Sequence, residues 1–495
     1  MKKTIAGVIR SVIFIGLLLL SLWLINKYLE PKYTLQNSDW PTTSTIHQFY
    51  EMEKESVDVL FLGSSVMVNS MSPQEIYNTC GIRSYNLGSE QQSIFLSYYW
   101  FKEALRFQSP KAVVVDLRFL FEVHPQEPIN TRETLTRKAI DPMQWSEVKR
   151  EAVKDICSID PAQSQISYYL TNVRYHGRWT DFNMADFNEE EYVHSELKGY
   201  SPLAEYGGKT YNTFDFHGEI QEKREMHPVM LEYMNRMVDT CKERGIKLIL
   251  ISLPGSPMGE ATHNACVAYA EEKGLDYYNM CTTELYNEIG ATLPRENTVS
   301  HSNLWGSIKL SDYMGKLLSE KYGVPSVKDE QYESTKGYYE QIKADCELPH
   351  VTDINTYLDM LIREKDRYTI FVVSTKDAAA GLTEEVQAKL SALGLKTRLK
   401  RYASYAALVD PRQGVLEASD PKKAVNLSGT FRDQSVYYSM TGSGYYAGST
   451  SSVVVAGTEY SKSVTGLTFV IYENSRMRVL DAVSFNTATN CKAYR

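Results

Sequence analysis

Several large functional classes are excluded by what this chain lacks. It carries 53 lysines and arginines against 61 aspartates and glutamates, a formal net charge of −8, and its isoelectric point is near 5.7. No basic block stands out, so a nucleic-acid binder, which needs a basic face, is not expected. The sequence holds no G-x-x-x-x-G-K-[ST], no H-E-x-x-H, no G-x-S-x-G and no G-x-G-x-x-G after a strand. P-loop ATPase, zinc-protease, α/β-hydrolase and dinucleotide-binding readings drop accordingly. Its seven cysteines (Cys80, Cys157, Cys241, Cys266, Cys281, Cys346, Cys491) are dispersed without a C-x-x-C pair. Such spacing indicates neither a disulfide framework nor a zinc site, and most are read as small buried hydrophobes. No cofactor or metal is expected.

What is present is ordinary globular material, 43% apolar and 23% charged, in 495 residues. That length suits two domains and an anchor. The stretch from Asp366 onward holds 16 basic and 11 acidic residues, which leaves −13 on the first 365. The two parts therefore do different work, the second reading as a solvated surface of mixed charge. Lys2 and Lys3 precede an apolar run from Ile5 to Ile25 broken only by Arg10. With Arg10 snorkelling, the run approaches the ~20 residues that cross a bilayer. No A-x-A cleavage site follows it; Trp23, Leu24, Ile25, Asn26 and Lys27 stand there instead, which favours an uncleaved anchor over a signal peptide. Positive charge before the helix predicts a cytoplasmic N-terminus, with everything after Lys27 outside the cell.

The expected organisation is an anchor at 1–30, a spacer at 31–45, an α/β domain at 46–325, a helical connector at 326–367 and a β-rich domain at 368–495. Three apolar runs, Ser56–Ser65, Lys111–Phe119 and Ile246–Gly255, alternate with helix-like stretches. This pattern implies a buried parallel sheet inside a three-layer α/β/α domain. The Tyr-, Asp- and Asn-rich stretch at about 142–219 reads as an insertion over the sheet's edge. After Tyr368, short β-like runs with Gly442, Gly444, Gly448 and Gly457 at turns indicate the second domain. The tyrosine pairs Tyr98-Tyr99 and Tyr445-Tyr446 are read as packing pairs.

The strongest chemical signal is DVLFLGSS at Asp58–Ser65. A strand ending in Gly-Ser-Ser can leave a hydroxyl at the carboxyl edge of a parallel sheet, where α/β folds collect ligands. A serine becomes a nucleophile only if a base takes its proton. Of the nine histidines, His301, just before a helix in SHSNLWGSIKLSDYM, has the best context.

The blocks LFLGSS, SYNLGSEQQS (Ser84–Ser93), KAVVVDL and SHSNLWGSIKLSDYMG, with RYHGRW (Arg174–Trp179) in the insertion, resemble membrane-anchored SGNH/GDSL-like proteins of Gram-positive bacteria. These stand near the family that acts in teichoic-acid D-alanylation and surface O-acylation. The resemblance covers about Val57–Pro325. It implies Ser65 as nucleophile, His301 as base and the Gly88 amide, with that of Ser65, as oxyanion donors. Ser64 takes a position often held by Asp. In the family an Asp usually precedes the histidine by three residues; here that residue is Thr298. A Ser–His dyad, recruitment of Glu296 or Asp116, or loss of catalysis are the three outcomes open. The family's Gly-x-Asn block is not visible, and Val66 stands where close relatives often have His.

The C-terminal stretch from Gly442 to Thr487, with FVVSTKDAAAGL and LSALGLK upstream, resembles an ILEI/PANDER-like domain over about Tyr368–Arg495. Thr468 and Asn486 depart from its usual pattern. This resemblance implies a β-sandwich recognition module for a glycan or partner. The expected protein is a single-pass surface serine esterase or acyltransferase acting on an envelope glycan or teichoic acid. It would cooperate with a membrane-bound O-acyltransferase. The competing reading is a non-catalytic glycan-binding scaffold with a degenerate SGNH domain.

Overall fold

The computed structural model describes residues 2–495 except 34–39, 122–128, 130–131, 183–185, 188–195, 208–212, 214, 256–257, 299, 433 and 463. Parts of the expected spacer and insertion thus lie outside the described residues. The chain forms two compact units, Met1–Tyr339 and Glu340–Arg495.

A strand that is apolar at every position must be covered on both faces. In the first unit, β1 (Val59–Leu62), β2 (Ser84–Asn86), β3 (Ala112–Asp116), β4 (Lys247–Ser252) and β5 (Asp276–Asn279) make one parallel sheet ordered β2-β1-β3-β4-β5. Alternate side chains divide between two cores. Leu60, Leu62, Val113, Val115, Leu248 and Leu250 enter one, and Val59, Phe61, Val114, Ile249 and Ile251 enter the other. The helices Ile94–Ala104 and Pro228–Arg244 close the first face; Pro73–Cys80 and Leu304–Glu320 close the second. This strand order reverses direction between β1 and β3, and doubly wound sheets gather ligands at the carboxyl ends beside such a switch point.

The N-terminal helix Lys2–Leu29 contains a span, Ile5–Leu29, with a mean hydropathy of 2.5 and none of its most apolar window buried. It is long and apolar enough to cross a membrane.

The second unit is β-rich. Strands β6 (Tyr368–Lys376), β7 (Ser404–Asp410), β8 (Gly414–Asp420), β9 (Val425–Phe431), β10 (Val436–Gly444), β11 (Ser452–Val455), β12 (Thr458–Glu459), β13 (Gly466–Glu473), β14 (Arg478–Asn486) and β15 (Lys492–Tyr494) join in one sheet. Its central strands β6, β7 and β13 bury one face under the helices Ile354–Glu364 and Glu384–Ala392 and the other against β9, β10 and β11. The 326–367 stretch does not act as a separate connector. Tyr332 belongs to a core of the first unit, whereas Ile354, Tyr357, Leu358 and Leu361 belong to a core of the second.

Candidate active site

The run Val59–Leu62 delivers the chain to the sheet's carboxyl edge, and Gly63 turns it there. A Cβ on Gly63 would stand 2.9 Å from the Cβ of Asp116 on the neighbouring strand, so this crossing needs glycine. Ser64 stays extended, and Ser65 begins the short helix Ser65–Ser70. First-turn amides of a helix have no intrahelical acceptor, so the Ser65 N–H is left as a donor beside its own hydroxyl. Ser64 is buried and its Oγ has no partner among the described residues.

His301 arrives from the other end of the unit. Asn297 and Ser302 form an antiparallel bridge, and between them the Thr298 N–H donates to the His301 carbonyl at 2.8 Å. Thr298 Oγ1 donates to that carbonyl and accepts from the His301 and Ser300 amides. Asn303 caps the following helix through the Gly306 amide at 3.2 Å and donates to the Arg295 and Glu205 carbonyls. The turn is thereby fixed, and His301 Nε2 lies 2.9 Å from Ser65 Oγ. Its Nδ1 lies 2.7 Å from Ser300 Oγ. For Nε2 to accept from the serine, the imidazole hydrogen sits on Nδ1 and is donated to Ser300. The Trp40 ring covers the imidazole at 5.2 Å between centroids.

The other expected residues divide clearly. Thr298 uses its hydroxyl on the backbone of the turn. Glu296 is buried, accepts from the Leu293 amide at 2.8 Å and pairs with Lys309 at 2.5 Å. Asp116 is buried, with Oδ1 accepting from the Arg118 amide and Oδ2 lacking a partner among the described residues. Burial raises its pKa to about 7, opposed by the Arg118 charge and backbone hydrogen bonds. The hydroxyl of Ser300, and among the described residues no carboxylate, holds His301 Nδ1. The Gly88 amide donates to Asn86 Oδ1 at 3.1 Å, so it is engaged rather than aimed into the site.

Sequence reading missed three contributors. Arg118 follows β3, whose Val115 pairs with Leu62, which sets it level with Ser65 across the switch point. Its Nε is buried without a partner among the described residues. Burial, and then the Arg118 charge, push the His301 pKa down to about 4, so the imidazole is neutral and able to accept a proton. Trp40 is the second. The third is a strap, 198–207, that holds both halves of the site. It receives the Asn86 amide on the Lys198 carbonyl, donates from Ser201 to Val68 and from Gly207 to Asn297, and accepts from Leu304 at Leu203. Only the R-F pair after VVVDL could have flagged Arg118; the strap has no sequence signature.

Among the described residues no group of three His, Cys, Asp or Glu side chains could hold a metal. No protein-family model matches the chain, and no curated protein is significantly similar to it.

Proposed function

We propose that this chain is a membrane-anchored surface serine esterase or acyltransferase of SGNH type, acting on acyl esters of a cell-envelope glycan or teichoic acid. The observation that carries the reading is the 2.9 Å approach of His301 Nε2 to Ser65 Oγ at the carboxyl edge of a parallel sheet. That separation is within the reach a general base requires. As Ser65 Oγ bonds to the acyl carbon, its proton passes to Nε2 and the carbonyl pair moves onto oxygen. Collapse breaks the bond to the leaving alkoxide, which takes the proton back from the imidazolium. Water or an acceptor hydroxyl repeats the sequence on the acyl-serine, giving hydrolysis or transfer. The Ser65 amide stabilises the oxyanion; such a donor is worth ~10²–10³ in rate.

The anchor is the apolar helix at the N-terminus, with the two folded units outside the cell. A membrane-bound O-acyltransferase supplying acyl groups fits this arrangement. In the second unit, Tyr402, Tyr445 and Tyr446 are exposed, with ring centroids 5.5–5.7 Å apart. Such an aromatic cluster suits the faces of a sugar, which supports a glycan-gripping role for the ILEI-like unit.

The test is hydrolysis of p-nitrophenyl acetate by the full-length protein in detergent micelles. Ser65→Ala and His301→Ala should fall to the uncatalysed rate; turnover by Ser65→Ala equal to that of the unmutated chain overturns the assignment. A binding-only domain is the second reading, favoured by a neutral hydroxyl at His301 Nδ1, where a carboxylate would stabilise the imidazolium.

A further inference from the structure

The large apolar side chains that the first unit leaves exposed are not scattered. Among the described residues, and excluding the N-terminal helix, six of its ten exposed large hydrophobics lie between 145 and 187: Trp145, Ile166, Tyr169, Val173, Trp179 and Phe187. Trp179 is 68% exposed and Ile166 53%, values that a packed core or a buried seam would not leave. Ile166 and Tyr169, three apart on the short helix Gln165–Tyr169, lie on one side of it, and Val173 is exposed on the helix Thr171–Tyr175, which begins after a break in the helical path at Leu170. Trp145 extends this face by stacking on Tyr169, centroids 4.9 Å apart and planes within 12°.

The same segment is fastened to the last turn of the N-terminal helix. Thr171 Oγ1 donates to the Asn26 carbonyl, and the Asn172 amide donates to Asn26 Oδ1 at 2.9 Å. Arg178 donates to the carbonyls of Tyr28, Leu29 and Glu30 and pairs with the buried Asp186 at 2.5 Å. Tyr28 meets Phe187 with ring centroids 5.4 Å apart. A cation on the open carbonyls of a helix end closes that end. The apolar face therefore has a fixed height relative to the helix that carries it.

We infer that this face, made by Trp145, Ile166, Tyr169, Val173, Trp179 and Phe187, rests in the outer-leaflet interface of the lipid bilayer, as a second membrane contact beside the spanning helix. The inference rests on the reading of Ile5–Leu29 as an uncleaved span. Twenty-five helical residues rise about 37 Å at 1.5 Å each, against a hydrocarbon core of about 30 Å. With Lys2 and Lys3 at the inner surface, the turn at Asn26–Leu29 emerges among the outer headgroups, and so does what is bonded to it. Trp and Tyr are the side chains that settle at that depth, apolar ring inward and polar edge outward. Two attachments in place of one would stop the catalytic unit from swivelling about its anchor.

The experiment installs photoreactive benzoylphenylalanine in place of Trp179, of Ile166 and, as control, of Ile220. Ile220 is also exposed but is held by the helix Glu260–Lys273 through the Glu260 carboxylate. The full-length protein is irradiated in phosphatidylglycerol/phosphatidylethanolamine membranes, and a parallel sample is extracted with alkaline carbonate. The expected result is a mass gain of one phospholipid at positions 179 and 166, none at 220, and full resistance to extraction. Resistance to extraction with no lipid adduct at 179 and 166, or with adducts to protein alone, overturns the interfacial contact and leaves the anchor standing. Release by carbonate overturns the anchor and the contact with it.

Discussion

A base buried beside a positive charge pays for its neutrality with a low proton affinity, and that trade sets the pH behaviour of this site. His301 has its pKa lowered to about 4, first by burial and then by Arg118. The acid limb of kcat/KM reports the base of the free enzyme, so activity should persist down to about pH 4 instead of failing near the ordinary imidazole value of about 6.5. Arg118→Gln removes the lesser cause: the limb should rise yet stay below that ordinary value, in a pH–rate profile on p-nitrophenyl acetate. An unmoved limb would show that the guanidinium does not act on the imidazole. Asp116 behaves in the opposite sense. Burial raises its folded pKa to about 7 from the ordinary carboxylate value of 3.8, so its stabilising contribution is complete below the unfolded value and is lost as pH rises through 7. Asp116→Asn should therefore raise the melting temperature more at pH 8 than at pH 5. Equal gains at both would mean that Asp116 is not neutral in the fold.

At the scale of elements, the site depends on three pieces of chain meeting: the helix Ser65–Ser70, the turn at Thr298–His301 and the strap 198–207. Gly207 lies so close to the turn that a Cβ there would come within 2.5 Å of the Thr298 carbonyl carbon. Gly207→Ala must push the turn away. A displacement of ~1 Å at a reacting pair costs on the order of 10²-fold, so kcat should fall by about that factor with KM little changed. Steady-state kinetics, set beside a melting curve showing the unit still folded, checks this. The strands of this unit were legible because continuous apolar runs have few other uses in a globular chain. The strap was not, because it is held by backbone hydrogen bonds to distant partners and its side chains carry no period. The role of Thr298 was half legible: its place three residues before His301 is a sequence fact, but its use on backbone amides follows from the turn.

Over the whole molecule, each unit has cores of its own. Those of the second draw only on residues from Ala344 to Phe485 among their fully buried members. Damage confined there should stay there. Gly466 adopts φ +148°, and a Cβ on it would meet the Phe485 carbonyl oxygen at 1.9 Å. Calorimetry of the full chain should resolve two transitions, with Gly466→Ala lowering one by several degrees and leaving the other, and the esterase rate, unchanged. A single transition that shifts as a whole would show the units to be thermodynamically coupled.

The sequence by itself determined what local pattern can determine. It set an apolar helix at one end, a parallel sheet from runs such as Val59–Leu62, a β-rich domain from Tyr368 onward, and a serine placed where a strand runs out. These follow from hydrophobic period and turn residues, which act over a few positions. Only the tertiary structure decided the rest. Ser65 and His301 stand 236 positions apart, and their meeting is fixed by strand order and by the hydrogen bonds of the turn. Two tyrosine pairs look alike as letters, yet Tyr98 and Tyr99 are buried while Tyr445 and Tyr446 are exposed. Burial is settled by what packs against a residue from far along the chain, and no short window of sequence contains that information.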